Sequence, residues 1–167
     1  LTTIAYRDGV MAADTQVTDL NVAFHTQKIW RLPDGGVVAA CGAAAKGFAG
    51  IKWMLDGEHG DPPSIEEATL VIARPDGSLW VADNQFPAFP LLDHYYATGC
   101  GRDFALKALA DGKSAVEAVF AAAQHDLMTE APVMSLAVVP RDFPEVEMHY
   151  PKGKASGRKR RANQSRR

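Results

Sequence analysis

Paired strand-like runs around tight-turn signals restrict the fold of this chain more than any other feature. Ile4-Ala5-Tyr6 and Val10-Met11-Ala12-Ala13-Asp14 flank Arg7-Asp8-Gly9. Small and apolar residues on both sides of an Asp-Gly pair read as a hairpin. The pattern stays strand-like through Thr18, and Asp19-Leu20-Asn21 turns it. Gln27 to Leu32 alternates polar and apolar residues before the turn Pro33-Asp34-Gly35-Gly36. Val37 to Cys41 is a short apolar run that reads as a buried strand, ended by Gly42. A helix is expected from Ala43 to about Leu55, with Phe48, Ile51 and Leu55 on one stripe and Asp56-Gly57 as its stop. After the loop Gly60-Asp61-Pro62-Pro63 comes a second hairpin, Ala68 to Ala73 and Leu79 to Ala82, around Arg74-Pro75-Asp76-Gly77-Ser78.

Phe86 to Pro90 reads as irregular, and Tyr95 to Thr98 as a strand ending in Gly99-Cys100-Gly101. Helices follow over Arg102 to Ala110 and from Ser114 onward. The second opens with a capping box, Ser114 and Glu117, and carries the stripe Val116, Val119, Phe120, Ala123, Leu127. Met134 to Val139 and Glu145 to His149 form a last strand pair. Hairpins, then helices, then strands again argue against a parallel doubly wound sheet, where strand and helix alternate singly. Two antiparallel sheets with helices packed outside are expected.

At 167 residues, with 47% hydrophobic and 23% charged residues, the chain has the profile of one globular domain with a sizeable core. No apolar run approaches the roughly 18 residues that cross a bilayer, and the start shows neither a basic nor an apolar leader region. A cytoplasmic protein without membrane contact is therefore expected, and two cysteines, Cys41 and Cys100, fit a reducing compartment. The five histidines show no paired ligand spacing, so no metal is expected, and no phosphate-binding loop with Lys-Ser/Thr is present. No cofactor is expected. Charge is unevenly placed: residues 152–167 carry Lys152, Lys154, Arg158, Lys159, Arg160, Arg161, Arg166 and Arg167 and no acid. The domain is accordingly expected over 1–151, with a basic flexible tail over 152–167. A solvated end is the favoured reading of that tail; contact with an acidic neighbouring subunit or with nucleic acid is the less favoured one.

The chemistry concentrates at the start. A threonine with a free amine carries a nucleophile and a base on one residue, and Thr2 can fill that role once the residue before it is gone. β-Branching restricts the side chain and holds the hydroxyl near the amine. The amine must be neutral near pH 7, and a nearby cation lowers its pKa. Lys28 is the candidate cation and Asp14 the carboxylate that holds it through a charge-assisted hydrogen bond. Gly42 suits an oxyanion donor, because a residue without Cβ lets substrate approach the backbone N–H closely; a plain strand-to-helix turn is the alternative.

Thr2-Thr3-Ile4-Ala5, Ala13-Asp14, Lys28-Ile29-Trp30-Arg31-Leu32, Cys41-Gly42-Ala43-Ala44 and Gly99-Cys100-Gly101, in that order, resemble the proteasome β-subunit and HslV peptidase superfamily of N-terminal-nucleophile hydrolases. The likeness is greatest to its small bacterial proteasome homologues and spans about residues 2–140. It implies an α+β fold, a four-layer α-β-β-α sandwich, and a threonine endopeptidase that cleaves unfolded polypeptides. It implies Thr2, Asp14 and Lys28 as the catalytic trio and Gly42 as oxyanion donor. Asp126 and Thr129 resemble the Asp-x-x-Ser pair that backs the nucleophile, with Thr in place of Ser; a helix-end carboxylate facing water is the alternative for Asp126. Cys100 replaces the serine of a Gly-Ser-Gly turn, where it is expected to be a small buried residue, and a thiol is a poorer donor than a hydroxyl. By the same resemblance Val17, Trp30, Ala40 and Ala44 lie near the pocket for the residue before the cut. Homo-oligomeric stacked rings and a partner ATP-dependent unfoldase are further implications. Leu1 is expected to be an initiator position or a one-residue propeptide that is removed. Two alternatives stand beside the peptidase: a catalytically silent ring-forming scaffold of the same fold, and an amide hydrolase using Cys100 with His94 or His125 as base.

Overall fold

The computed structural model describes residues 2–19, 22–138 and 147–151. Leu1, the basic run 152–167 and part of the last expected strand pair lie outside the described residues. The first hairpin forms β1 (Thr3–Arg7) and β2 (Val10–Asp14), with Asp8 and Gly9 both at positive φ in the turn. Next come β3 (Gln16–Asp19), β4 (Val22–His25), β5 (Ile29–Arg31) and β6 (Val37–Gly42). Helix α1 spans Ala44–Leu55 and precedes β7 (Ala68–Ala73), β8 (Leu79–Asp83), β9 (Phe89–Leu91) and β10 (Tyr95–Gly99). Two helices, α2 (Arg102–Ala110) and α3 (Ala115–Ala123), lead to β11 (Val133–Ala137) and β12 (Glu147–His149).

One five-stranded sheet runs β10-β1-β2-β11-β12 and the other β5-β6-β7-β8-β9, and every pairing is antiparallel. β3 and β4 form a separate two-stranded ribbon. The two sheets face each other across Ile4, Tyr6, Met11, Ile29, Val37, Val71 and Leu136. Strand alternation sends Ala5 and Ala12 the other way, onto α2 and α3 through a seam dominated by alanine. Small side chains there let the helices lie close to the sheet. Helix α1 covers the second sheet through Ile51 and Met54 against Leu70 and Ile72. The molecule is thus an α+β protein with four layers, α-β-β-α, and both sheets are antiparallel.

Several local expectations change. β4 falls on a segment to which the sequence assigned no element and β9 on one that reads as irregular, because pairing with β3 and β8 rather than intrinsic pattern makes them strands. On α1 the buried positions are Gly47, Gly50, Ile51 and Met54, while Phe48 is 54% exposed. The helix approaches its sheet along glycines: a Cβ on Gly50 would lie 2.9 Å from both Ile65 and Leu70. The capping box on α3 forms as expected, Ser114 N–H donating to Glu117 at 2.9 Å and Glu117 N–H to Ser114 at 3.2 Å. That helix stops at Ala123, however, so Leu127 is 92% exposed rather than on its apolar stripe. Ala115, Ala118, Val119 and Ala122 form the buried face instead. Among the described residues no helix is long and apolar enough to cross a membrane.

Candidate active site

The start of β1 and the end of β2 meet at Asp14. Its carboxylate is fully buried and accepts from Thr3 N–H at 2.8 Å, from Gln16 N–H at 3.0 Å and from Lys28 Nζ at 3.0 Å. Lys28 enters from the segment before β5 and is itself buried, its ammonium also donating to the carbonyl of Gln16. Burial pushes the Lys28 pKa below its ordinary value, with the Asp14 charge opposing the shift. Burial likewise pushes the Asp14 carboxyl up, with Lys28 and the backbone donors opposing. Two charges removed from water hold their ionised forms only through this mutual geometry.

Thr2 lies one residue upstream of β1 and is buried. Thr2 and Lys28 line the same cavity, of about 520 Å³, together with Val17, Trp30, Ala40, Gly42 and Ala44. All four residues expected near the specificity pocket are therefore in one lining, which is mostly apolar. Phe24, Phe48 and Ile51 also line it, and the sequence reading assigned none of them to the site. The missed signal was the β3–β4 ribbon, whose Val17↔Phe24 pair puts both residues beside Thr2.

Gly42 sits where β6 gives way to α1. Its φ is +90°, and a Cβ there would come within 2.2 Å of the Glu67 carbonyl, so only glycine fits. The following N–H, on Ala43, donates to that carbonyl at 2.7 Å and fixes the turn at the cavity edge.

The Gly99-Cys100-Gly101 turn closes the other side of Thr2. Cys100 N–H donates to the Thr2 carbonyl at 3.1 Å. Gly99, at φ +96°, has its Cα so close that a Cβ would meet the Thr2 oxygen at 1.7 Å. Cys100 thus serves Thr2 through its backbone, and as a residue it is exposed. The other thiol, Cys41, is buried, lines the cavity and lies 3.6 Å from Thr98 Oγ1; burial raises its pKa. His125 stacks against Phe104 of α2 with ring centroids 5.1 Å apart, and His94 is exposed ahead of β10.

Asp126 and Thr129 are brought together, but by a turn beyond the end of α3 and not by helical spacing. Thr129 Oγ1 donates to Asp126, and Met128 N–H donates to the same carboxylate at 3.2 Å. Both residues lie outside the cavity lining. Thr129 reaches toward Thr2 through Thr3, whose Oγ1 lies 2.6 Å from its own.

Concavities of similar size include one of about 490 Å³ beside Trp53, Trp80 and Phe86, one of about 510 Å³ beside Pro63, Asn84 and Phe86, and one of about 670 Å³ between α2 and α3. None of these joins a hydroxyl to a buried ion pair. Chemistry, rather than volume, selects the cavity at Thr2.

No family model matches the chain, and no curated protein matches it. Solved structures do resemble it. Thiobacillus denitrificans BPH in complex with epoxomicin is 20% identical with a TM-score of 0.62, over 83% of this chain and 99% of that one. A second structure of the same BPH is 20% identical with a TM-score of 0.59, over 84% and 99%. A Gly-1 mutant of Anbu from Hyphomicrobium sp. strain MC1 is 14% identical with a TM-score of 0.67, over 88% and 86%. Likeness at 14–20% identity carries the fold alone. The expected assignment to the proteasome β-subunit and HslV peptidase superfamily is corrected accordingly, since no family model or curated relative supports it. What the comparisons establish is that this chain shares the proteasome-like fold of BPH and Anbu.

Proposed function

We propose that the chain is a threonine endopeptidase whose nucleophile is the hydroxyl of Thr2, acting on unfolded polypeptides. The observation that carries this reading is the cavity shared by Thr2 and Lys28, with Lys28 braced by Asp14 at 3.0 Å behind it. In the proposed reaction Thr2 Oγ attacks the peptide carbonyl while the α-amine of Thr2 takes the hydroxyl proton. The carbonyl π electrons move to oxygen, where Gly42 at the cavity edge presents backbone N–H. The amine then returns the proton to the leaving nitrogen, and water releases the ester. Lys28, as a cation beside the nucleophile, favours the neutral amine and the developing alkoxide. Such a base contributes about 10²–10⁴-fold.

The mechanism requires cleavage of whatever precedes Thr2, because an amide nitrogen cannot act as this base. It also supports assembly: Val22, Phe24 and Phe48 are each more than half exposed, and Phe24 and Phe48 border the cavity. Burying them against further copies would enclose the site, as a ring of subunits does.

An epoxyketone tests the nucleophile and the base together. Epoxomicin is the suitable probe, since the BPH of like fold is known in complex with it. The expected result is a covalent adduct mapped by peptide mass spectrometry to Thr2, lost in Thr2→Ala. Intact mass showing residues retained ahead of Thr2 in every active preparation would exclude the reading. Equal fluorogenic-peptide cleavage by wild type and Thr2→Ala would favour the silent scaffold.

A further inference from the structure

Thr3 is completely buried, one peptide bond from the proposed nucleophile, and it is gripped at both ends. Its N–H donates to Asp14 at 2.8 Å. Its Oγ1 accepts from Gly101 N–H at 2.8 Å and meets Thr129 Oγ1 at 2.6 Å. A hydroxyl has one proton to give. Thr129 gives its proton to Asp126, so Thr3 must be the donor between the two threonines. The result is a directed chain: Gly101 N–H to Thr3, Thr3 O–H to Thr129, Thr129 O–H to Asp126.

The same turn holds Thr2. Successive amides, of Cys100 and Gly101, are accepted by successive residues, through the Thr2 carbonyl at 3.1 Å and the Thr3 hydroxyl at 2.8 Å. Space is as tight as the bonding: a Cβ on Gly101 would fall 2.8 Å from Thr3 Oγ1 and 2.7 Å from Ala122. The peptide plane after Thr2 therefore has no independent freedom. Its orientation is set by Asp14 on the nitrogen side and by Asp126, through two hydroxyls and a turn, on the carbonyl side.

We propose that Thr3 is a positioning residue, through which Asp126 and Thr129 orient Thr2 without touching it. This rests on the reading of Thr2 as nucleophile. It assigns the Asp126–Thr129 pair an indirect route to the site.

The test compares Thr3→Val, which keeps the shape and strand preference but loses the hydroxyl, with Thr3→Ser, which keeps the hydroxyl. Misplacement of a reacting group by about 1 Å costs roughly 10²-fold. Thr3→Val is expected to lower kcat about 10²-fold with KM changed less than threefold, and Thr3→Ser to recover most of that loss. Thr129→Val should cost a similar factor alone and add little in the Thr3→Val background, because both break one chain. Multiplying effects, equal loss in both Thr3 variants, or an unchanged kcat in Thr3→Val would each overturn the proposal. Amide hydrogen exchange provides a readout independent of turnover. Cys100 and Gly101 should exchange at least tenfold faster in Thr3→Val, and unchanged rates would overturn the coupling even if wild type cleaves no peptide. If Thr3→Val does not fold, Thr129→Val takes its place in both measurements. A wild type that forms no epoxyketone adduct while this exchange effect appears would fault the peptidase reading and not the coupling.

Discussion

Asp14 and Lys28 are a buried ion pair whose two members fail in opposite ways when separated. Removing one partner leaves the other charged and uncompensated, which costs about 3–5 kcal/mol, whereas removing both is often nearly neutral. Lys28→Met should therefore lower stability by about 3–5 kcal/mol, and Asp14→Asn with Lys28→Met should recover much of it, as read by urea denaturation. The pair also sets a pH window for activity. Burial lowers the Lys28 pKa, so its proton leaves on the way up to 10.5 rather than at it. If the cation supports catalysis, kcat/KM falls with rising pH before 10.5. Lys28→Arg should carry any remaining activity to higher pH, since a guanidinium stays charged. A profile flat through pH 10.5 in wild type would remove Lys28 from the mechanism. Gly42→Ala is the third residue-scale case. A side chain at φ +90° facing the Glu67 carbonyl at 2.2 Å must displace the turn. Loss of one oxyanion donor typically costs about 10²–10³ in kcat, the drop expected in steady-state assays.

Elements matter through how they end. α3 begins at a reciprocal cap and stops at Ala123, and the turn after it brings Asp126 and Thr129 under β1. Had the helix continued, i,i+3 spacing would have placed both on one helical face. Ser114→Ala removes the cap and should lower stability by about 1 kcal/mol with kcat unchanged; a larger drop in kcat would mean that the helix start also sets the site. The β3–β4 ribbon belongs to neither sheet, and its paired residues Val17 and Phe24 form one wall of the cavity. Thr15 anchors its base, donating to the Pro132 carbonyl at 2.8 Å and lying 3.0 Å from His25 Nδ1.

At the scale of the molecule, the sandwich makes a cavity where β5, the end of β6, the start of α1 and the ribbon converge on Thr2. Phe24 and Phe48 are exposed there at 53% and 54%, and Val22, on the same strand as Phe24, at 54%, an unusual cost for a lone 18.0 kDa chain. Under the assembly proposed above, light scattering should give a mass several times larger, and Phe24→Ser should reduce it. A monomer at micromolar concentration would exclude enclosure of the site by copies of this chain.

Hairpin turns, the capping box and the order of strands and helices were legible in the sequence because local backbone geometry decides them: Asp8-Gly9 and Ser114/Glu117 act on residues a few positions apart. The trio at 2, 14 and 28 and the four pocket residues were named through the resemblance of their motifs; Thr2, Lys28 and those four share one cavity lining, and Asp14 lies behind Lys28. Tertiary structure alone decided the rest. Whether Phe48 or Gly50 faces the core depends on how closely α1 can approach its sheet, and β4 and β9 are strands only because a neighbour pairs with them. The role proposed for Thr3 depends on a hydroxyl contact between residues 126 positions apart. Such a contact leaves no periodic trace in a chain, since it is fixed by the docking of layers and not by the residues beside it.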